Sequence, residues 1–280
     1  MPETDTAIEW TDSTWNPVHG CFAVSRACAD GAGCYAWEYS NKMGHTDEDW
    51  TVAHAEENVR LQEHHLDFPR ELEDPQRVFV NSMSDLFLPE DLLSDEYVHQ
   101  ILDVVEDHPE HAFIALTKHG CETGGRHPDE PRMLTWDREH GRWPDNLWMG
   151  VTVETNARHY RIDQLREIGA STTWVSFEPL LEPIGMPDLQ GIDWAVVGGQ
   201  SGDDDDVRID MAHEWVWPIR EACERDDVAF YFKQSSGRRQ GYAPALRCPD
   251  GAVRAFRELP ELPGPLRDAR PDLAAEEVTA

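Results

Sequence analysis

Three of the chain's six cysteines lie within fourteen residues near the N-terminus, at Cys21, Cys28 and Cys34. In a reducing compartment, clustered thiols are more often metal ligands or catalytic groups than disulfides. Three thiolates hold Zn²⁺ if His19 or His45 supplies a fourth ligand. They also hold an iron–sulfur cluster, and because four cysteines are usual for [4Fe–4S], three would leave one iron open for a ligand. The spacing alone allows both metals.

Polar side chains recur at the ends of the segments that read as buried strands. Ligand sites of parallel α/β sheets lie at the C-terminal edge of the strands, so we expect these side chains to surround one site. Glu154 and Glu178 need partners if buried, and Lys118 and Lys233 can supply them. The catalytic candidates are Asp85, Lys118, Glu154, Glu178 and Lys233. The cofactor-binding candidates are Asn81, Ser82, Gly198, Gly199 and Ser201.

Two motifs near these strand ends have competing interpretations. The glycine pair in "VVGGQSG" either lets a ligand approach the backbone or forms a tight turn without a ligand. The run from Asp203 to Asp206 is interpreted as a solvated loop rather than a cation site, because no calcium-loop spacing surrounds it.

The charge balance is strongly acidic, with 55 Asp and Glu against 24 Lys and Arg and a formal net charge of −31. Only three of the 24 basic residues are Lys, which leaves 21 Arg, and the acids are spread along the whole chain. This composition is typical of a haloarchaeal protein whose surface repulsion is screened by molar salt. It argues against broad nucleic-acid binding at ordinary salt but leaves open a local nucleotide or nucleic-acid site, or a partner protein.

The elements that must position these residues alternate between helical patterns and short, continuous apolar strands. That alternation predicts an α/β fold, a full or partial (β/α) barrel, with an open doubly wound sheet as the alternative. No GxGxxG follows the first strand, which weakens a dinucleotide-binding fold. Residues 36–72 read as helical, and 119–145 read as an insertion with a short helix.

A single domain is predicted over residues 8–243. A Pro-rich acidic tail is predicted over 244–280, with disorder over 260–280. The N-terminus lacks the pattern of a signal peptide, and the apolar runs are too short to span a bilayer. These features predict a soluble cytoplasmic protein without a membrane partner.

Several segments carry a family resemblance, in order over about residues 8–237. They are "EWTDSTWNPVHGC", "VSRAC", "CYA", "RVFVNSMSDLF", "LTK", "NLWMGVTVE", "SFEPLL", "DWAVVGGQSG" and "FYFKQ". Together they resemble a phage-associated three-cysteine-motif protein family of unknown function, which is itself similar to radical S-adenosylmethionine enzymes. The resemblance implies a partial barrel and a [4Fe–4S] cluster on Cys21, Cys28 and Cys34. Its open iron would bind S-adenosylmethionine and reduce it to a 5′-deoxyadenosyl radical.

The chain departs from that pattern in its cysteine spacing and in its glycines. Five residues, "ADGAG", separate the second and third cysteines, where the family usually has two. Radical S-adenosylmethionine enzymes usually have C-x3-C-x2-C and carry their glycine motif on the second strand, whereas here the glycine pair follows a late strand.

Three functional hypotheses follow from the sequence. The first is an iron–sulfur enzyme of the radical S-adenosylmethionine type with an unknown substrate. The alternative is a zinc-stabilised, non-catalytic protein that binds a nucleotide or a partner. The third is a hydrolase or lyase that uses Lys118 or Lys233 as a base or Schiff-base amine.

Overall fold

The computed structural model describes residues 6, 8–28, 34–45, 48–202 and 208–274. The "ADGAG" segment and the Asp203–Asp206 run lie outside the described residues. The strands are β1 (Ser13–Trp15), β2 (Val18–His19), β3 (Arg60–Leu61), β4 (Arg77–Val80), β5 (Ala112–Thr117), β6 (Leu147–Thr152), β7 (Thr172–Phe177), β8 (Trp194–Gly198), β9 (Ala229–Gln234), β10 (Leu246–Arg247) and β11 (Val253–Arg254). The α-helices are α1 (Tyr35–Lys42), α2 (Ala55–Asn58), α3 (Asp95–Asp107), α4 (Arg132–His140), α5 (Tyr160–Glu167), α6 (Trp217–Asp226), α7 (Gly264–Ala269) and α8 (Pro271–Ala274).

The main sheet has the order β1-β4-β5-β6-β7-β8-β9, and every neighbouring pair is parallel. The strand order follows the chain without a reversal, and the sheet curls into a half-barrel. The predicted partial (β/α) barrel is therefore confirmed. A doubly wound sheet would reverse its strand order at a switch point, which the described sheet does not do.

Helices cover the outer face of the half-barrel. In α3, Ser94 caps the first turn by accepting a hydrogen bond from the amide of Tyr97. The apolar stripe of Val98, Ile101 and Leu102 then packs, fully buried, against the sheet. The same three- and four-residue spacing that predicts this helix from the sequence sets which of its faces is buried.

Aromatic side chains fill the inner face towards the N-terminal ends of the strands. Trp148, Trp174 and Trp194 lie in one buried cluster. Gly150 makes room for them, because a Cβ there would lie 2.3 Å from the Trp174 indole. The Trp174 Nε1 donates to the carbonyl of Ala115 at 3.0 Å. This packed layer closes one end of the half-barrel and leaves the C-terminal edge of the strands open for a cavity.

Three segments differ from the sequence-based expectation. Residues 36–72 do not form one long helix but α1, short 3₁₀ turns, α2 and β3. Gly44 has φ +67°, a conformation that ends helices, and β3 pairs with β2 instead. The presumed insertion over 119–145 contains α4, the regular crossover helix between β5 and β6.

The C-terminal segment is more ordered than expected. Residues 264–274, expected to belong to a disordered tail, form α7 and α8. Leu262, Leu266 and Leu273 are buried in the same cluster as the inner-face tryptophans. Their apolar side chains cover the side of that aromatic cluster that the strands of the half-barrel leave uncovered. No helix in the described part of the chain has both the length and the apolar character to cross a bilayer.

Candidate functional site

A cavity of about 240 Å³ opens at the C-terminal edge of the sheet, where the sequence places its polar strand ends. Its lining includes most of the predicted site residues, namely Cys21, Cys28, Cys34, Asn81, Ser82, Asp85, Lys118, Glu178, Gly199, Ser201 and Lys233. Glu154 and Gly198 do not line the cavity themselves. Glu154 accepts a hydrogen bond from Ser25 in the cysteine loop, and Gly198 packs closely against the lining residue Glu178. Residues from six strand ends and one loop thus meet in one place, which we call the thiol cavity.

The loop that carries the cysteines is fixed at its entry by backbone contacts. Gly20 has φ +85°, and a Cβ there would lie 1.9 Å from the carbonyl oxygen of Asn58. Only glycine fits that close approach. The Gly20 amide donates to the Met83 carbonyl at 3.0 Å, and the Ala23 amide donates to the Trp50 carbonyl at 2.8 Å. The loop therefore enters the cavity on a defined path.

Side chains from the 3₁₀ turn before α5 and from the end of β6 hold the same loop further along. Arg158 donates to the Val24 carbonyl at 3.0 Å, and the Ser25 hydroxyl donates to Glu154 Oε1 at 2.5 Å. Ser25 Oγ also lies 3.4 Å from Cys28 Sγ. The contacts of Arg158 and Glu154 hold the loop in place, and Ser25 orients Cys28 within it.

Cys21 and Cys34 are poor acids in the absence of a cation. Burial, together with Asp85 and the other two cysteines, raises the pKa of Cys21 well above its usual value. Burial and the neighbouring Cys28 raise the pKa of Cys34 to about 11. Because metals bind the thiolate, a bound cation would have to supply the charge that favours deprotonation at neutral pH.

Lys118 brings a positive charge to the same wall. Its half-buried side chain loses solvation, but the charges of Cys28, Glu154 and Cys34 outweigh that loss and raise the pKa of the ammonium. Within the described residues its Nζ has neither a hydrogen bond nor an ion pair. A lysine that stays charged beside three thiols suits an anionic ligand group or thiolates.

Glu154 belongs to a buried charge network that sequence reasoning found only in part. Its Oε2 accepts from Arg161 Nη1 at 3.1 Å, and Arg161 Nη2 donates to Glu122 at 2.6 Å. Burial alone would raise the pKa of Glu154, but Lys118, Arg161 and Ser25 lower it below its usual value. The missed signal is Arg161 itself, an arginine beside Ile162 on the buried face of α5.

Glu178 finds its partner in Lys233, one of the two lysines considered for it. Lys233 Nζ lies 2.6 Å from Glu178 Oε1, and both side chains are largely shielded from solvent. Glu178 follows β7 and Lys233 lies in β9, so the pair spans β8 between them. It can orient a ligand or transfer a proton at the cavity wall.

Asp85 has the contacts of an anchor. Its Oδ1 accepts from the Phe87 amide at 2.9 Å and the Thr117 hydroxyl at 2.6 Å. Its Oδ2 accepts from the amides of Lys118 and His119 at 2.8 and 3.1 Å. With both oxygens used twice, this carboxylate positions the turn that carries Lys118. Its catalytic role stays a prediction.

The glycine pair is explained by close packing of the protein on itself. A Cβ on Gly198 would lie 3.0 Å from the Glu178 carboxyl carbon, and one on Gly199 would lie 2.3 Å from the Ser236 amide nitrogen. The Gly199 amide already donates to the Gln234 carbonyl at 2.9 Å. The tight-turn interpretation therefore accounts for the side of these glycines that faces Glu178 and Ser236. Gly199 also lines the thiol cavity, and the part of the two glycines in binding a cofactor stays a prediction.

Two polar atoms of the cavity wall are left without partners among the described residues. Asn81 Nδ2 and Thr152 Oγ1 are buried and make no hydrogen bond there, although Asn81 Oδ1 accepts from the Val18 amide at 3.1 Å. Asn81 is itself held at φ +58°. Buried donors without partners cost free energy, so these two atoms indicate that a polar ligand completes the cavity.

The cavity's donor set fits a metal group with an attached organic ligand. Three thiols supply soft ligands for zinc or iron, and Lys118, Asn81 and Thr152 supply polar groups beyond them. His119 Nε2 also lies 3.1 Å from Cys21 Sγ and 3.0 Å from the Phe22 carbonyl, so it orients the first cysteine.

Comparison with known proteins identifies a family for this chain but no activity or ligand. Residues 5–258 match the model of the DUF5131 family, described as a protein of unknown function. No curated protein matches the chain, and no solved structure matches it. Because the match covers most of the chain and includes the whole half-barrel, the protein belongs to the DUF5131 family of proteins of unknown function.

Proposed function

We propose that this protein is an iron–sulfur enzyme of the radical S-adenosylmethionine type with a substrate still to be identified. The observation that carries the proposal is that Cys21, Cys28 and Cys34 line one cavity at the C-terminal edge of a parallel half-barrel. Its ordered resemblance to a phage-associated three-cysteine-motif family supports the same function.

The three cysteine sulfurs lie farther apart than the ligands of a single bound zinc ion. In a tetrahedral site with Zn–S of about 2.3 Å, the sulfurs are about 3.8 Å apart. Among the described residues, the three cysteine sulfurs do not all lie within 4.8 Å of one another. A [4Fe–4S] cluster spreads its thiolates over different irons, which suits the wider separation.

The proposal assigns a role to the cysteines and to the polar groups beside them. Cys21, Cys28 and Cys34 hold the cluster, which when bound supplies one-electron reduction of S-adenosylmethionine. Lys118 and the unpartnered donors of Asn81 and Thr152 bind polar groups of the organic ligand.

The remaining wall of the cavity would act on the substrate. Glu178 and Lys233 form a pair that orients it or moves a proton. Ser82 and Ser201 are further polar lining groups. Thiols of this kind persist in a reducing compartment, so we place the protein in the cytoplasm.

Anaerobic reconstitution tests the proposal, in molar salt because of the −31 net charge. We expect about four irons and four sulfides per chain, a reduced-cluster electron paramagnetic resonance signal that shifts with S-adenosylmethionine, and release of 5′-deoxyadenosine. Cys28→Ser should lose the cluster, whereas Cys248→Ser, a buried thiol outside the cavity, should keep it. Stoichiometric zinc without iron in competently reconstituted protein would overturn the proposal and favour the zinc-stabilised alternative.

A further inference from the structure

A second cavity, of about 410 Å³, adjoins the thiol cavity. The two share lining residues, namely Ile8, Tyr35, Ser82 and Gln240. Its volume falls in the range of pockets that enclose small organic ligands, about 300 to 1,000 Å³. A ligand bound there would contact side chains that also line the thiol cavity.

Aromatic rings form much of its wall. Tyr35 and Tyr39, on successive turns of α1, stack with ring centroids 6.0 Å apart and an interplanar angle of 28°. His45 lies 6.4 Å from Tyr39 and 5.9 Å from His19, ring to ring. His64 and His65 add two more rings. We call this second space the tyrosine–histidine cavity, and its rings offer flat faces for stacking.

Its charge differs from that of the chain as a whole. In a protein with 55 acidic residues, the described lining of the tyrosine–histidine cavity contains a single carboxylate, Glu71, and neither lysine nor arginine. The other polar groups there are amides, hydroxyls and imidazoles, which suit a planar ligand with hydrogen-bonding edges rather than a strongly charged one.

Gln240 provides a second, independent indication of a ligand. Its Oε1 is buried and has no hydrogen-bond partner among the described residues, and the side chain lines both cavities. Gln62 adds another amide to the same wall. A phenyl ring has no donor for such an acceptor and a phenol has a single O–H, whereas a nucleobase presents amino or imino N–H groups along the edge of its ring.

We propose that the tyrosine–histidine cavity binds the base of a nucleoside or nucleotide substrate, with the ring stacked against Tyr35 and Tyr39 and its edge bonded to Gln240. The sugar would then point across the shared wall towards the cysteines. The assignment of this ligand as the substrate rests on the proposed function, but its binding does not require the cluster.

Titration calorimetry of iron-free protein tests this inference. The ligands are adenosine, guanosine, cytidine and uridine, with N-acetyltryptophanamide and N-acetyltyrosinamide as aromatic comparators. We expect at least one nucleoside to bind more tightly than both comparators. Because stacking on an aromatic side chain strengthens binding by roughly tenfold or more, Tyr39→Leu should weaken that binding about tenfold, while Tyr39→Phe retains it.

Two further variants make the result specific. Gln240→Leu should weaken binding without disturbing the stack, and Tyr242→Leu, at an exposed tyrosine that lines neither cavity, should leave it unchanged. Circular dichroism checks that each variant is folded. The inference is overturned if no nucleoside binds, if a comparator binds more tightly than every nucleoside, or if neither Tyr39→Leu nor Gln240→Leu changes the affinity.

Iron content, measured separately, distinguishes the two proposals. Nucleoside binding in a chain that takes up no iron would overturn the enzyme proposal alone. A normal cluster in a chain that binds no nucleoside would overturn the nucleobase site alone.

Discussion

Ser25 and Glu154 are 129 positions apart in the chain, yet the hydroxyl of Ser25 donates a 2.5 Å hydrogen bond to Glu154 Oε1. Ser25 belongs to the cysteine loop, whereas Glu154 follows β6 and is neutralised by Arg161. The position of the loop beside the half-barrel therefore depends on a buried ion pair, which makes that pair a target for measurement.

Glu154→Gln should lower the free energy of unfolding by about 3 kcal/mol near pH 7, because it removes one partner of a buried ion pair. The folded-state pKa of Glu154 is lowered, so its stabilisation is present above the unfolded value near 4.5 and is lost as the pH falls through the folded pKa. The difference in the free energy of unfolding between wild type and variant should therefore become smaller below pH 4.5. Urea unfolding from pH 7 to 3, at constant molar salt, measures it.

Glu224→Gln is the matched control for that prediction. Glu224 pairs with Arg220 on the surface of α6 with 61% of its side chain exposed, so its loss should cost less than about 1 kcal/mol. The predicted role of the buried pair would be contradicted if the loss of unfolding free energy in Glu154→Gln stayed constant from pH 7 to 3. It would also be contradicted if that loss were no larger than the loss in Glu224→Gln.

Cys34 of iron-free protein should react slowly with alkylating reagents. Since the thiolate is the nucleophile and the pKa of Cys34 is raised to about 11 from 9.0, its rate with iodoacetamide at pH 8 should be about a hundredfold below that of an ordinary cysteine. The rate should rise about tenfold per pH unit up to pH 10. Peptide mass spectrometry resolves the rate at Cys34.

The urea-unfolded chain provides the reference rate for each cysteine. Equal rates at Cys34 in folded and unfolded protein at pH 8 would show that burial does not suppress its ionisation. Reconstituted protein should instead be protected at Cys21, Cys28 and Cys34 at every pH.

The sequence predicted a full or partial (β/α) barrel with polar strand ends at one edge, and the structure selects the partial barrel. Continuous apolar strands such as Ala112–Thr117 can be buried on both faces only if helices cover one of them, and chain order then brings their polar ends together. The cysteine loop can be recognised in the sequence because the chain has few cysteines. Lys118 and Lys233 can be recognised because the chain has few lysines.

The roles of individual residues depended on contacts that no local pattern contains. Asp85 and Glu154 are both carboxylates at strand ends, but one is saturated by hydrogen bonds from Lys118 and its neighbours while the other is paired with Arg161. Gly199 lines the cavity on one side and approaches Ser236, 37 positions on, on the other, and the sequence shows only that a glycine stands there. Such pairings arise from tertiary structure.

The Lys233–Glu178 pair should show strong energetic coupling. Lys233→Met and Glu178→Met each leave a largely buried charge without its partner, so each should destabilise the protein by about 3 kcal/mol. The double variant should lose less than the sum, with a coupling energy of about 1 to 3 kcal/mol. Urea unfolding of all four proteins measures the coupling, and additive losses would contradict a direct interaction.

Gly199→Ala should destabilise the fold by about 2 kcal/mol, within the usual cost of overpacking. The new methyl carbon would lie 2.3 Å from the Ser236 amide nitrogen and 2.5 Å from its Oγ, so the backbone after β9 must move. Gly264→Ala is the matched control, since its new methyl group meets nothing within 4 Å and should change stability by less than about 0.5 kcal/mol. Thermal and urea unfolding compare the two. Equal stabilities would mean that Gly199 is not confined by Ser236.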